Sequence, residues 1–148
     1  MNIAEFLLPI AQSSATEQIA SSISTGRMMT IGSAAGSSAL ALAATVGMQT
    51  RRPMLIVTAH LDEADDAVDQ LELFAPGAQA KLFPALEVLP GESNVSPELS
   101  AQRLGVLAEL KSNRRADFYV APVQALMQSV PTRESLEDQL RILRPTIR

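Results

Sequence analysis

The amino-acid order predicts an α/β domain of three layers, α/β/α, in which helices cover both faces of a mostly parallel sheet. Two observations carry that expectation. The runs MLIVT at 54–58 and DFYVA at 117–121 are of strand length and almost continuously apolar, as strands buried on both faces are. Segments of helical spacing separate the apolar runs, and strand–helix alternation marks a parallel sheet joined by crossover helices. At 148 residues the chain fits one domain able to bury roughly 68–70% of its unfolded surface.

In chain order, residues 1–26 hold short helical segments with Ser-rich joints (SSATEQIASSISTG), a leader either packed on the core or partly frayed. MMTI at 28–31 reads as a first strand, followed by the turn GSAAGSS and a helix over 37–48 that is apolar on nearly every face and so expected to be buried. RRP then breaks the chain before MLIVT. A helix over about 62–74 follows, AKLF at 80–83 is a third strand, and the long loop LPGESNVSPE leads to a helix from Pro97 to about Lys111. Ser96 is its expected N-cap, with Pro97 at the first helical position, where a missing N–H costs nothing. DFYVA is the fourth strand, VQALMQ a short helix, and a polar helical stretch begins near Thr132. The tail LRILRPTIR fits a last helical turn or a strand equally well. The expected organisation is a leader at 1–26, an α/β domain at 27–140, and the start of a connection to a following module at 141–148. Right-handed crossovers place the turns after Ile31, Thr58, Phe83 and Ala121 on one edge of the sheet, where ligands bind in such folds.

Composition excludes several functions. There are no cysteines, so disulfides, thiolate metal sites and cysteine nucleophiles are absent together. A net charge of −4 supplies no global basic field for nucleic acid or anionic membrane. The N-terminal IAEFLLPIA carries Glu5 and Pro9 and lacks a basic start, unlike a signal peptide. The apolar stretch at 39–48 is too short to span a bilayer. A cytoplasmic protein without membrane partner or cofactor is the expectation.

The turn after MMTI invites comparison with a phosphate loop, strand then G-x-x-x-x-G-K-[ST] then helix. Read from Gly32, the second glycine falls on Ser37 (Gly36 lies one position early), the lysine on Ser38, and the metal-binding hydroxyl on Ala39. No Lys or Arg occurs between Arg27 and Arg51, so no shift of register restores the motif. One charge pair near 4 Å contributes about 4 kcal/mol at an effective dielectric of about 20, roughly a thousandfold in affinity. A helix N-terminus alone offers about 0.3–1 kcal/mol, up to about 2 when partly buried. The loop is P-loop-like but degenerate: Gly32, Gly36, Ser37, Ser38 and Ala39 form a remnant, with no catalytic residue and no metal ligand expected.

Other suggestive residues have plainer readings. LDEADD contains the letters of a helicase motif, but MLIVT ends four residues before Asp62, whereas that acid belongs at a strand end. Leu61, Ala64, Ala67, Val68, Leu71 and Phe74 form one apolar stripe, leaving the acids of this helix on a solvated face. His60 is the only histidine and reads as a turn residue. Arg51-Arg52 and Arg114-Arg115 precede strands and read as solubilising charge. The helix 97–111, through Leu99, Leu104, Val106, Leu107 and Leu110, and also Met127 and Val130, read as packing.

The stretch FPALEVLPGESNVSPELSAQRLGVLAEL followed by FYVAPVQALMQSVP resembles the N-terminal, UvrB-like region (domain 1a) of the bacterial transcription-repair coupling factor family. The family pattern falls on Phe83-Pro84, Glu87, Leu89-Pro90, Ser96-Pro97, Arg103-Leu104, Leu107 and Val123 through Pro131, and the likeness extends over roughly residues 28–140. It implies a RecA-like subdomain with a degenerate nucleotide loop, acting as a non-catalytic structural and interaction domain in transcription-coupled excision repair. Its partners would be other domains of the same protein, with UvrA bound through the following module. RNA polymerase and DNA would be reached only through the rest of a full-length ATP-driven translocase. Leu86 stands where the family has Trp and Gly91 where it has Tyr, and nothing between Leu89 and Pro97 can stack on a base. The competing expectations are one nucleotide-binding half of a DNA-dependent ATPase or helicase, and a nucleic-acid module built on the Arg pairs.

Overall fold

A computed structural model describes residues 3–86, 96–112 and 115–136, with only the backbone at positions 3 and 4. Its elements are α1 (Ile3–Ala11), α2 (Ser14–Ser24), α3 (Ser37–Thr50), β1 (Met54–Thr58), α4 (Leu61–Phe74), β2 (Ala80–Leu82), α5 (Pro97–Lys111), β3 (Phe118–Pro122) and α6 (Val123–Met127). The three strands form one parallel sheet in the order β1-β3-β2.

The continuous apolar run of β3 occupies the centre, and all five of its residues are buried. Its side chains alternate between two cores. Phe118 and Val120 meet Ala44 of α3 and Ala64, Ala67 and Leu71 of α4. Tyr119 and Ala121 meet Val106 of α5, Ala125 of α6 and the chain just beyond β2. The chain is therefore α/β with a parallel sheet, as expected from the sequence, and helices pack on both sides of its central strand, but the sheet is smaller than expected.

Local signals act where the sequence places them. Ser96 caps α5 by accepting from the Leu99 N–H at 3.5 Å, with Pro97 opening the helix. Arg51 closes α3 in the left-handed region (φ 51°), donating its N–H to Gly47 at 2.9 Å. On α4, Ala64, Ala67 and Leu71 are buried while Asp62, Glu63, Asp65, Asp66, Asp69 and Glu72 are exposed, as the stripe requires. The leader is docked: Leu7, Thr16 and Ile19 are buried, and Gln49 of α3 donates to the Ala11 carbonyl at 2.9 Å.

Three expectations are corrected. MMTI at 28–31 is not a strand: among the described residues the segment pairs with no neighbour, and Met28 is 98% exposed. A four-residue apolar run gains strand geometry from a ladder partner rather than from propensity, and among the described residues none lies beside it. The carboxyl ends that share an edge are therefore those of β1, β2 and β3, without the turn after Ile31. Second, the helix layer on the α5 side does not reach over β1, whose Leu55 and Val57 stay 57% and 50% exposed. Third, Met127 and Val130 are exposed rather than packed, and Leu110 is only partly covered. The segment 87–95, with Glu87, Leu89-Pro90, Gly91 and most of the long loop, lies outside the described residues, as do Arg114 and the tail from 137.

Candidate functional site

Two places concentrate the residues singled out above. The first is the turn into α3. Gly36 takes φ 54°, a conformation that glycine alone enters without strain, and it stands as N-cap with no side-chain cap. Around it the loop bonds to itself. The Ser38 hydroxyl accepts from the Ala35 N–H at 3.0 Å and donates to the Ala35 carbonyl at 2.8 Å. The Ser38 N–H donates to the Ala35 carbonyl at 3.3 Å, and the Ala39 N–H to the Gly36 carbonyl at 3.0 Å. A phosphate-binding turn needs these amides aimed at a ligand; here those of Ser38 and Ala39 already have acceptors. A cavity beside the turn is lined by Ile19, Ile23, Ile31, Ala39 and Val46, an apolar surface. Gly32 lies in the exposed approach, where a Cβ would meet nothing within 4 Å, and Ser37 opens the helix exposed to solvent.

The second place was not legible as a site. Arg103 of α5 is 4% exposed. Its Nη1 donates to the Pro84 carbonyl at 2.7 Å and to the Ala125 carbonyl at 3.3 Å, while Nη2 reaches the latter at 3.4 Å. The guanidinium lies 4.1 Å from the centre of the Phe83 ring, a cation–π contact. Burial pulls its pKa down from the ordinary arginine value. Its hydrogen-bond acceptors among the described residues are main-chain carbonyls. The physical reason is local: α6 has five residues and cannot satisfy its own last carbonyls, and the chain leaves the ladder soon after Phe83. Gln128 completes the arrangement, its Oε1 accepting from the Leu86 N–H at 2.7 Å and its Nε2 donating to the Leu86 carbonyl at 2.9 Å. The sequence did hold a clue. Arg103 stands four residues after Leu99 and three before Val106, a charged residue in a core-facing register.

Phe83-Pro84, Arg103 and Ala125 to Gln128 thus converge on one node, joining the exit of β2, the middle of α5 and the end of α6. Replacing Gln128 with alanine is expected to lower stability by about 1 kcal/mol, the net contribution typical of such bonds, read as a shift in denaturant midpoint with unchanged slope.

The remaining candidates fall on the surface. Glu63 accepts from the Ala59 and His60 N–H groups at 3.1 and 3.3 Å, closing the start of α4. His60 stands at that N-cap position, in accord with a turn role. Among the described residues no group of three His, Cys, Asp or Glu could hold a metal ion, and no helix is long and apolar enough to cross a membrane.

No protein-family model and no solved structure matches the chain. The transcription-repair-coupling factor of Bacillus subtilis (strain 168) is 33% identical over 97 residues, which is 65% of this chain and 8% of that protein. Over that stretch the chain is therefore similar to a small part of a transcription-repair-coupling factor.

Proposed function

We propose that this chain is a structural and interaction domain of a transcription-repair coupling factor, UvrB-like and RecA-derived in fold, with no nucleotide turnover of its own. The observation that carries the reading is the turn into α3. It brings no cation to a phosphate, and the Ser38 hydroxyl and two of the amides are engaged within the loop. Gly32, Gly36, Ser37, Ser38 and Ala39 then act as a helix-entry turn. The residues that carry the resemblance serve architecture: Phe83, Arg103 and Gln128 fix one side of the sheet as a rigid platform.

In this reading residues 27–140 form the platform, residues 1–26 brace it through α3, and residues 141–148 lead to the next module. That module would contact UvrA. The platform would hold it in place and restrain the motor until RNA polymerase is engaged, with DNA gripped elsewhere in the cytoplasmic full-length protein. Isothermal titration of the chain with Mg-ATP tests the central claim. Affinity weaker than about 1 mM is expected, equivalent to no more than about 4 kcal/mol of binding. Micromolar binding would defeat the proposal and favour one nucleotide-binding half of a DNA-dependent ATPase.

A further inference from the structure

We propose that the free edge of β2 takes up an extended, basic peptide segment of a partner as an additional strand. The surface is separate from both the α3 turn and the Arg103 node, and the inference does not depend on the function proposed above.

The backbone defines the edge. The Phe118 N–H donates to the Gln79 carbonyl at 3.0 Å and the Phe83 N–H to the Val120 carbonyl at 2.7 Å. In a parallel ladder the residues that bond one neighbour alternate, so positions 79, 81 and 83 serve β3 while Ala80 and Leu82 turn their N–H and C=O outward. Among the described residues no strand pairs with that side. The outward groups open into a groove of about 630 Å³ whose floor is Ala80–Leu82 and whose walls are α4 and α5. An open strand edge at the bottom of a groove is the geometry that binds extended peptides through main-chain bonds.

Two features of the walls select the occupant. Asp65 and Asp69 are four residues apart on α4, exposed, and line the groove. Like charges at this spacing weaken a helix, and nothing in the described chain offsets them. Across the groove, Lys81 already pairs with Glu109 of α5, so the free charge facing the occupant is negative. Gly105 sits in the middle of α5 on the same groove, and a Cβ built there would meet nothing within 4 Å. A mid-helix glycine costs stability and here relieves no contact with the described residues; the space it leaves admits close approach of a second backbone. Carboxylate walls disfavour nucleic acid. They also disfavour a second copy, which would bring the two acidic walls together.

The test uses the full chain and two synthetic nine-residue probes, one alternating Val and Lys and the other alternating Val and Glu. Titration followed by amide NMR is expected to show saturable binding of the Lys peptide, with new exchange protection at Ala80 and Leu82. The double variant Asp65→Asn/Asp69→Asn should weaken it about fivefold to tenfold, the range for two screened surface pairs. Gly105→Leu should abolish it without lowering Tm, since the change favours the helix while filling the groove. Failure of the Lys peptide to bind, or equal binding of the Glu peptide, overturns the proposal. So does protection of Ala80 and Leu82 in the chain alone. Dependence on protein concentration would then identify a second copy as the occupant, and loss of that protection on truncation after Leu136 would identify the chain's own C-terminal residues.

Discussion

Arg103→Ala is expected to lower the unfolding free energy by about 3 kcal/mol, a fall in Tm of roughly 6–12 °C for a chain of this size. Hydrogen bonds from a charged donor contribute about 1.5–3 kcal/mol, and a desolvated cation–π contact up to about 2. The loss also leaves the Pro84 and Ala125 carbonyls buried without their donor. Part of this is offset because an arginine in a 4% exposed position carries a desolvation cost that alanine does not. Arg103→Lys should recover only part of the loss. A single ammonium cannot reproduce a planar guanidinium that stacks on Phe83 while its two nitrogens reach carbonyls from different segments. Thermal and urea unfolding of the two variants measure this. A change below about 1 kcal/mol for Arg103→Ala would show that the node contributes little to the fold.

Gly47→Ala is the second large effect, and its sign runs against helix propensity. Position 47 lies inside α3, where alanine is favoured over glycine by about 1 kcal/mol. A Cβ there would sit 2.6 Å from Cε1 and 2.9 Å from Cζ of Phe118, and 2.9 Å from the Met54 sulfur. The methionine can move aside, but Phe118 is fully buried in the central strand and its ring has no space to enter. Overpacking of this kind costs about 1–3 kcal/mol, often with backbone displacement, so a net loss of about 1 kcal/mol remains after the propensity gain. Gly105→Ala is the matched control. It is also a glycine within a helix, but with open space around it, and it should gain about 1 kcal/mol. Opposite shifts in the denaturant midpoint of the two variants would separate packing from propensity. Equal shifts would mean that α3 is not held so close to the sheet.

The two positions show how far the sequence could be read. Both glycines stand in apolar-patterned helices, and only the approach of Phe118 tells them apart. Arg103 is similar. Its register was visible, but the carbonyls it serves come from segments 19 and 22 residues away. The α4 stripe, the Ser96 cap and the central strand were legible because each depends on residues within one or two turns of the chain. MMTI departs from its strand-like pattern because a strand exists only through its neighbour, and Met127 and Val130 stay exposed: apolar character does not show which face remains uncovered.

The sequence by itself determined the alternation of apolar runs and amphipathic helices, the parallel sheet that follows from it, and the absence of a cation in the turn into α3. These depend on residue type and local spacing, which the covalent chain carries directly. Tertiary structure alone decided that the sheet has three strands among the described residues, that Arg103 is buried against main-chain carbonyls, and that one edge of β2 opens between acidic walls. Each of those requires groups distant in the chain to meet, and contact at a distance is set by packing rather than by local pattern.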